Sequence, residues 1–248
     1  MKKQKKLLVV LALLCMILLP VFTVKADQTP LKMVVSEVKN LPNVYWFSKF
    51  TTSDATIASV DTSGNVTANA VGTAVISQTT LSGKEEYIVT VTDVVDIVVT
   101  MGQSNMCGSG GDLALAPEVK EGGLVYANGV VSPLDRQGTL IPSFVNSYYA
   151  KTNVPVITIQ TAIGGSGSKE WIKAGLANGA AGQLTSLKKY LSKYPVKVRH
   201  IYMLWFQGET DAKQGISKTV YMKNMQKIYK KMHGAGVYIY TYVFGIDN

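Results

Sequence analysis

The stretch Asp96-Ile97-Val98-Val99-Thr100-Met101-Gly102-Gln103-Ser104-Asn105-Met106 decides how this chain is read. Residues 96–101 form a short, mostly apolar run rich in β-branched side chains, the pattern of a strand buried on both faces. Gly102 then permits a sharp exit, and a polar cluster containing Ser104 follows directly. Working outward, the same construction recurs twice. Residues 155–161 make a second apolar strand that opens into Ile163-Gly164-Gly165-Ser166-Gly167, and residues 199–206 make a third that runs into Gln207-Gly208-Glu209-Thr210-Asp211. A fourth apolar stretch lies at 237–244. Helical patterns separate the strands at 141–151, at 180–193 with Leu184, Leu187, Leu191 and Tyr194 on one side, and at 218–233. Continuous apolar strands alternating with helices predict an α/β fold with a parallel, helix-covered sheet. Functional groups in such sheets gather beyond the carboxyl ends of the strands. All three motifs are therefore expected on one rim.

The residue types on that rim point to nucleophilic chemistry. A serine hydroxyl attacks only when a base takes its proton, and Ser104 is so placed that a following helix would aim its first amides at a ligand beside it. Gly164 and Gly165 allow a close backbone approach, and an amide there could donate to an oxyanion. Gln207 carries a side-chain donor at the edge of the sheet. Each feature also has a plain structural reading: a turn serine, a flexible Gly/Ser loop and a strand-end amide that satisfies the backbone.

Taken together, Gly102 to Met106, the Gly164-Gly165 turn followed by Trp171, and Gln207 to Asp211 resemble the SGNH-hydrolase superfamily. The closer resemblance is to its carbohydrate-esterase branch of sialate O-acetylesterase and acetylxylan esterase type, over roughly residues 95–248. The resemblance implies a three-layer parallel-sheet (flavodoxin-like) domain and removal of acetyl groups from a glycan through an acetyl-serine, with no cofactor and no metal. It implies Ser104 as nucleophile, with the amides of Ser104 and Gly165 and the side chain of Gln207 forming the oxyanion hole. Gly164, Glu209 and Asp211 are implied as supports. Gln103, Asn105 and Trp171 are candidates for holding substrate, Trp171 as a sugar platform or equally as a packed loop residue. The family takes its base from an Asp-x-x-His motif after the last strand. The only histidines are His200, at the beginning of the third strand, and His233, at the end of the helix just before the fourth, both expected on the opposite rim. The sequence stops at Asn248 before such a motif. The esterase domain, 94–248, is therefore expected to be C-terminally incomplete, and the alternatives are a decayed esterase or a non-catalytic glycan-binding surface protein.

Upstream, residues 31–92 are rich in Thr, Val and Ser in short alternating runs, such as 56–60 and 73–77, with turn clusters at 61–65 and 81–84. That pattern predicts a small β-sandwich over 27–93. Trp46, Ser53 to Val60, Gly64 to Ala68 and Val71 to Ile76 resemble the bacterial Ig-like domain, group 2, a module expected to act as a spacer or as a contact to glycan or cell envelope. Residues 1–26 combine Lys2, Lys3, Lys5 and Lys6 with an apolar run at 7–19 and Val24-Lys25-Ala26, the make-up of a signal peptide cleaved near Ala26. The expected destination is secretion or the cell surface. Formal net charge is +9, but five lysines belong to the leader, leaving 20 basic and 16 acidic residues. No basic run interleaved with aromatics points to nucleic acid. Beyond the leader only Cys107 remains, which excludes an internal disulfide framework and a Cys/His zinc site.

Overall fold

Alternating burial builds the first part of the chain. The computed structural model describes residues 28–109, 111–119 and 121–242; the leader and residues 243–248, including the end of the fourth expected strand, lie outside them. Seven strands come first: β1 (Gln28–Val34), β2 (Val38–Asn40), β3 (Lys49–Thr52), β4 (Ala58–Val60), β5 (Asn65–Ala68), β6 (Gly72–Thr80) and β7 (Gly83–Thr92). They form a four-stranded sheet, β1-β7-β6-β3, and a three-stranded one, β2-β5-β4. Ala74 and Ile76 of β6 and Val89 and Val91 of β7 point inward at period two, and meet Ala58, Val66 and Ala68 of the smaller sheet in one apolar core. The turn at 61–65 is made by Asp61, whose Oδ1 accepts the amides of Ser63 and Asn65 at 2.8 and 2.9 Å. Phe50 packs against this core, whereas Trp46 is 95% exposed and takes no part in it.

A single residue, Asp93, separates β7 from β8 (Val94–Gly102), the central strand of the second part. There follow α1 (Ser104–Cys107), β9 (Gly123–Ala127), β10 (Val130–Pro133), α2 (Ile141–Thr152), β11 (Val156–Gln160), α3 (Ser168–Lys173), α4 (Leu176–Leu191), β12 (Lys197–Phe206), α5 (Glu209–Lys213), α6 (Lys218–Gly234) and β13 (Ile239–Tyr242). The sheet order is β10-β9-β11-β8-β12-β13, parallel except for the edge strand β10. With the β9–β10 hairpin set aside, β8, β11, β12 and β13 stand in the doubly wound order 2-1-3-4. The winding reverses between β8 and β12, the place where such sheets open a crevice.

Both faces of this sheet are covered. Ile97, Val99 and Met101 of β8 face Leu184 and Leu187 of α4 and Met225 and Ile228 of α6. On the other side Val98 and Leu204 face Phe144 and Tyr148 of α2. Leu184 and Leu187 are fully buried, each contributing roughly 1.5–3 kcal/mol by leaving water. Helix α4 begins four residues before its expected start at 180. The β9–β10 hairpin was not anticipated. Its turn is Asn128-Gly129, with φ of 52° and 83°, a pair suited to a two-residue hairpin turn.

Candidate active site

All three motifs lie on one rim of the sheet, because β8, β11 and β12 run parallel and end at the same level. Gly102 explains how closely they meet. Its φ is 135°, and a Cβ there would stand 2.0 Å from the carbonyl oxygen of Phe206 at the end of β12. Gln103 is extended, and its amide donates to that same oxygen at 3.0 Å. The Gln103 carbonyl then accepts the amides of Met106 and Cys107, which starts α1 with Ser104 as its first residue. The helix expected behind Ser104 is a single turn, closed by Gly108 at φ 77°. The amides near Ser104 therefore act as individual donors rather than as the end of a long dipole.

The glycine loop folds back onto the base of this turn. The amide of Ile163 donates to the Gly102 carbonyl at 3.0 Å, and Ser166 Oγ lies 2.8 Å from the Ile163 carbonyl and 3.3 Å from that of Gly102. Between these anchors Gly164 and Gly165 are exposed, and Gly165 has φ of 72°. Among the described residues, no hydrogen bond engages the amide N–H of Ser104 or of Gly165. Partial burial of its sulfur pushes the thiol of the otherwise exposed Cys107 up, against an opposing hydrogen bond from the Gly164 amide.

Beneath the loop lies a buried polar bracket. Asp211, 3% exposed, accepts the Ser168 amide at 2.7 Å, the Ser168 hydroxyl at 2.5 Å and Gln207 Nε2 at 2.5 Å. Asn224 of α6 donates to Ser168 Oγ at 2.9 Å. Gln207 Nε2 also lies 3.2 Å from Gln103 Oε1 and 3.4 Å from the Ser166 carbonyl. The Asp211 carboxylate sets the orientation of this amide, since turning it would face oxygen to oxygen. The two Nε2 hydrogens therefore point inward, while the buried Oε1 has no protein partner among the described residues. This departs from the expectation that Gln207 aims its donor at an oxyanion. Gln103 departs too. It is 4% exposed, its Oε1 also accepts the Thr210 amide at 3.0 Å, and its Nε2 sits 3.5 Å from Ser104 Oγ. It braces the nucleophile candidate rather than meeting substrate directly.

Trp171 is fully buried. Its Nε1 donates to Ser166 Oγ at 2.9 Å, and its ring stands edge-on to Trp205 at 5.3 Å. A ring with no free face cannot serve as a sugar platform, and of the two readings of Trp171 the packed one is realised. Asn105 is exposed and donates to the Glu209 carboxylate, tying α1 to α5. Ser166, Ser168, Asn224 and Tyr221 were not singled out from the sequence. The Tyr221 hydroxyl accepts from Trp205 Nε1 and donates to the Gln207 carbonyl. Only Ser166, beside the double glycine, carried a local signal.

Neither histidine approaches Ser104. Pairing of Ile201 with Ile97 and of Phe206 with Gly102 places His200 about 20 Å away along the sheet. It belongs to a different cluster, where buried Asp96 accepts Arg199 Nε and Nη2 at 3.2 and 2.5 Å, the Tyr148 hydroxyl at 2.5 Å and the His200 amide at 2.8 Å. Burial works against the charged carboxylate, but the hydrogen bonds from Arg199 and Tyr148 and the Arg199 charge outweigh it and hold the Asp96 pKa below its usual value. His233 is exposed at the end of α6, against Tyr238. A cavity of about 410 Å³ opens beside the glycine loop, lined by Tyr126, Gln160, Thr161, Ile163, Gly179 and Gln183 among others. Among the described residues no group of His, Cys, Asp and Glu side chains is placed to hold a metal ion.

Residues 136–235 match a family described as carbohydrate esterase, sialic acid-specific acetylesterase. The match takes in the glycine loop and the Gln207–Asp211 bracket and begins after Ser104. No curated protein sequence matches the chain significantly. Among solved structures, the chain is similar to a protein from Arabidopsis thaliana at 17% identity, over 59% of this chain and 72% of that one, with a TM-score of 0.45. It is similar to a carbohydrate acetylesterase from Xanthomonas citri at 18% identity, over 88% of this chain and 58% of that one, with a TM-score of 0.35. A bacterial Ig-like domain containing xylanase from termite gut shares 10% identity over 85% of this chain and 77% of that one, with a TM-score of 0.25.

Proposed function

We propose that the protein is a secreted serine esterase that removes O-acetyl groups from carbohydrates. One observation carries the reading: Ser104 follows the end of β8, where the winding of the sheet reverses, the amides of Ser104 and Gly165 have no hydrogen-bond partner among the described residues, and the Gln103–Gln207–Asp211–Ser168 bracket ties the three motifs together. Ser104 Oγ attacks the acetyl carbonyl, and the carbonyl oxygen takes up negative charge facing those amides. The bond from acetyl carbon to sugar oxygen breaks, and the sugar oxygen receives the proton that left Ser104. Water then cleaves the acetyl-serine and releases acetate. The cavity beside the loop, lined by Gln160 and Gln183, receives the sugar. Gln207 contributes mainly by fixing Gln103 and Ser166, and reaches the oxyanion as a third donor only by giving up an inward bond. The resemblance to SGNH hydrolases assigns the base to the histidine of an Asp-x-x-His motif, a place neither His200 nor His233 fills. In the same reading residues 27–93 are an Ig-like module that follows a cleaved leader.

The test is acetate release from acetylated xylan and from O-acetylated sialic acid. Ser104→Ala is expected to lower the rate by a factor on the order of 10⁴ or more; activity retained in that variant refutes the assignment. Among the described residues the side chain within reach of Ser104 Oγ is the Gln103 amide, a donor and not a base, and this favours a second reading, a glycan-binding protein without hydrolysis. Saturable glycan binding that releases no acetate and ignores Ser104→Ala would establish it.

A further inference from the structure

Trp46 occupies an environment unlike that of the other two tryptophans. Trp171 and Trp205 are buried against each other in the second part of the chain, whereas Trp46 projects from the loop between β2 and β3 almost wholly into solvent. It does not project from a slack loop. Gln78, fully buried inside the sandwich, donates through Nε2 to the Asn43 carbonyl at 3.0 Å, with the Pro42 carbonyl at 3.4 Å. The Tyr45 amide donates to Ser48 Oγ, and the Ser48 amide returns to the Tyr45 carbonyl, both at 2.9 Å. Val44 packs into the sandwich core. Tyr45 and Phe47 stack face to face at 5.3 Å, and Phe47 meets Trp46 edge-on at 5.4 Å. A buried amide is thus committed to holding a loop whose largest side chain touches little of its own protein. A lone apolar side chain on a surface is ordinary, but a braced aromatic cluster of this size marks a contact surface.

We propose that the Tyr45-Trp46-Phe47 loop is a glycan-binding platform, on which the Trp46 indole stacks against the C–H face of a pyranose ring in a polysaccharide. The choice of a sugar rests on the carbohydrate-esterase reading, and the charge pattern agrees with it. Residues 41–48 carry no charged side chain, and the single cation that follows directly is Lys49 at the start of β3. The neighbouring turn, joined to the loop through the Leu41 amide and the Gly64 carbonyl at 2.9 Å, supplies Thr62, Ser63 and Asn65 with one acid, Asp61, and no cation. Hydroxyl and amide groups on the adjoining turn suit a neutral polyol. An anionic lipid surface would call for lysine or arginine there. The platform would hold the protein on an insoluble or polymeric substrate while the distant crevice works, raising the local concentration of ester.

The experiment is affinity electrophoresis of the full chain through gels containing acetylated xylan or a sialylated mucin, with acetate release measured in parallel. Wild type is expected to be retarded by at least one of them, and Trp46→Ala to weaken apparent binding about tenfold or more. Trp46→Phe is expected to recover part of it. An unchanged thermal midpoint in Trp46→Ala checks that the fold is intact, and Ser104→Ala is expected to bind like wild type. Binding should also shield wild-type tryptophan fluorescence from acrylamide, since only Trp46 is open to the quencher. Retardation identical in wild type and Trp46→Ala overturns the proposal, as does no retardation by either glycan. Trp46-dependent sedimentation with phosphatidylserine vesicles in place of glycan retardation overturns it in favour of a membrane contact. Acetate release without Trp46-dependent binding sinks this inference alone, and Trp46-dependent binding without acetate release sinks the catalytic reading alone.

Discussion

Asp211→Ala probes the bracket under the glycine loop most directly. The carboxylate is buried and accepts three hydrogen bonds, from the Ser168 amide, the Ser168 hydroxyl and Gln207 Nε2. Truncation leaves the backbone N–H of Ser168 without a partner in a buried place and takes from Gln207 Nε2 the nearest of its three acceptors, with the longer contacts to Gln103 Oε1 and the Ser166 carbonyl remaining. The Ser168 hydroxyl can turn, so it is left out of the count. A buried donor left unpaired costs about 1–3 kcal/mol, and bonds to a carboxylate lie at the upper end. One donor lost outright and a second weakened give an expected loss of about 2–4 kcal/mol, a large share of the roughly 5–15 kcal/mol that a domain possesses. Asp211→Asn is expected to recover part of the loss, because the Ser168 amide and Gln207 Nε2 both bond to Oδ2, whose place the Asn carbonyl oxygen can take while its NH₂ group faces the Ser168 hydroxyl, which can accept. Urea unfolding followed by the fluorescence of Trp171 and Trp205, both buried close above the bracket, reads the change. Exposed Glu209, whose partner is Asn105, is the control, and Glu209→Ala is expected to stay within about 0.5 kcal/mol of wild type. An Asp211→Ala protein within about 1 kcal/mol of wild type, or a Glu209→Ala loss of equal size, refutes the view that this buried carboxylate organises the site.

Asp96 gives a pH-dependent expectation. Its pKa is lowered in the folded protein, so its contribution is complete above the unfolded value of about 3.9 and is lost as pH falls through the folded value. The thermal midpoint of wild type should drop on acidification below about pH 4, and Asp96→Asn should show a flatter profile across that window with a lower plateau at pH 7. The glycines supply a contrasting pair. Gly102→Ala is expected to cost several kcal/mol or to block folding, since its Cβ would overlap the Phe206 carbonyl and its φ is positive. Gly179→Ala, within α4 and with open space where the Cβ would go, is expected to stabilise by about 1 kcal/mol. Midpoints from chemical denaturation decide both.

Much of the fold was legible because it is periodic. Residues 96–101, 155–161 and 199–206 read as apolar runs of a covered sheet and lie in or over β8, β11 and β12, and α6 matched its expected span to within a residue. The β9–β10 hairpin left one local signal, Asn128-Gly129, a pair that tolerates positive φ at both positions, but β10 beside it is four mostly exposed residues with no apolar alternation to mark a strand. Helix α4 begins early because Leu176 and Ala177 find apolar neighbours across the sheet, which local propensity does not record.

The site divides along the same line. Residue order alone determined that Ser104, the double glycine and Gln207 would share one rim, since parallel strands all end on the same side. It also placed both histidines at the other end, because His200 lies in the first part of its strand and His233 precedes its own. What each side chain does there was decided only by tertiary structure. Gln207 and Gln103 turn inward because Asp211 and the Thr210 amide lie within reach, and Trp171 disappears against Trp205 although the two are far apart in the chain. Trp46 reverses that outcome. It stands next to core-forming residues in sequence, yet Val44 and Phe50 take the inward positions and leave it in water. Composition and spacing state which groups are available, but direction and exposure depend on partners dozens of residues away, and those become known only when the chain has closed.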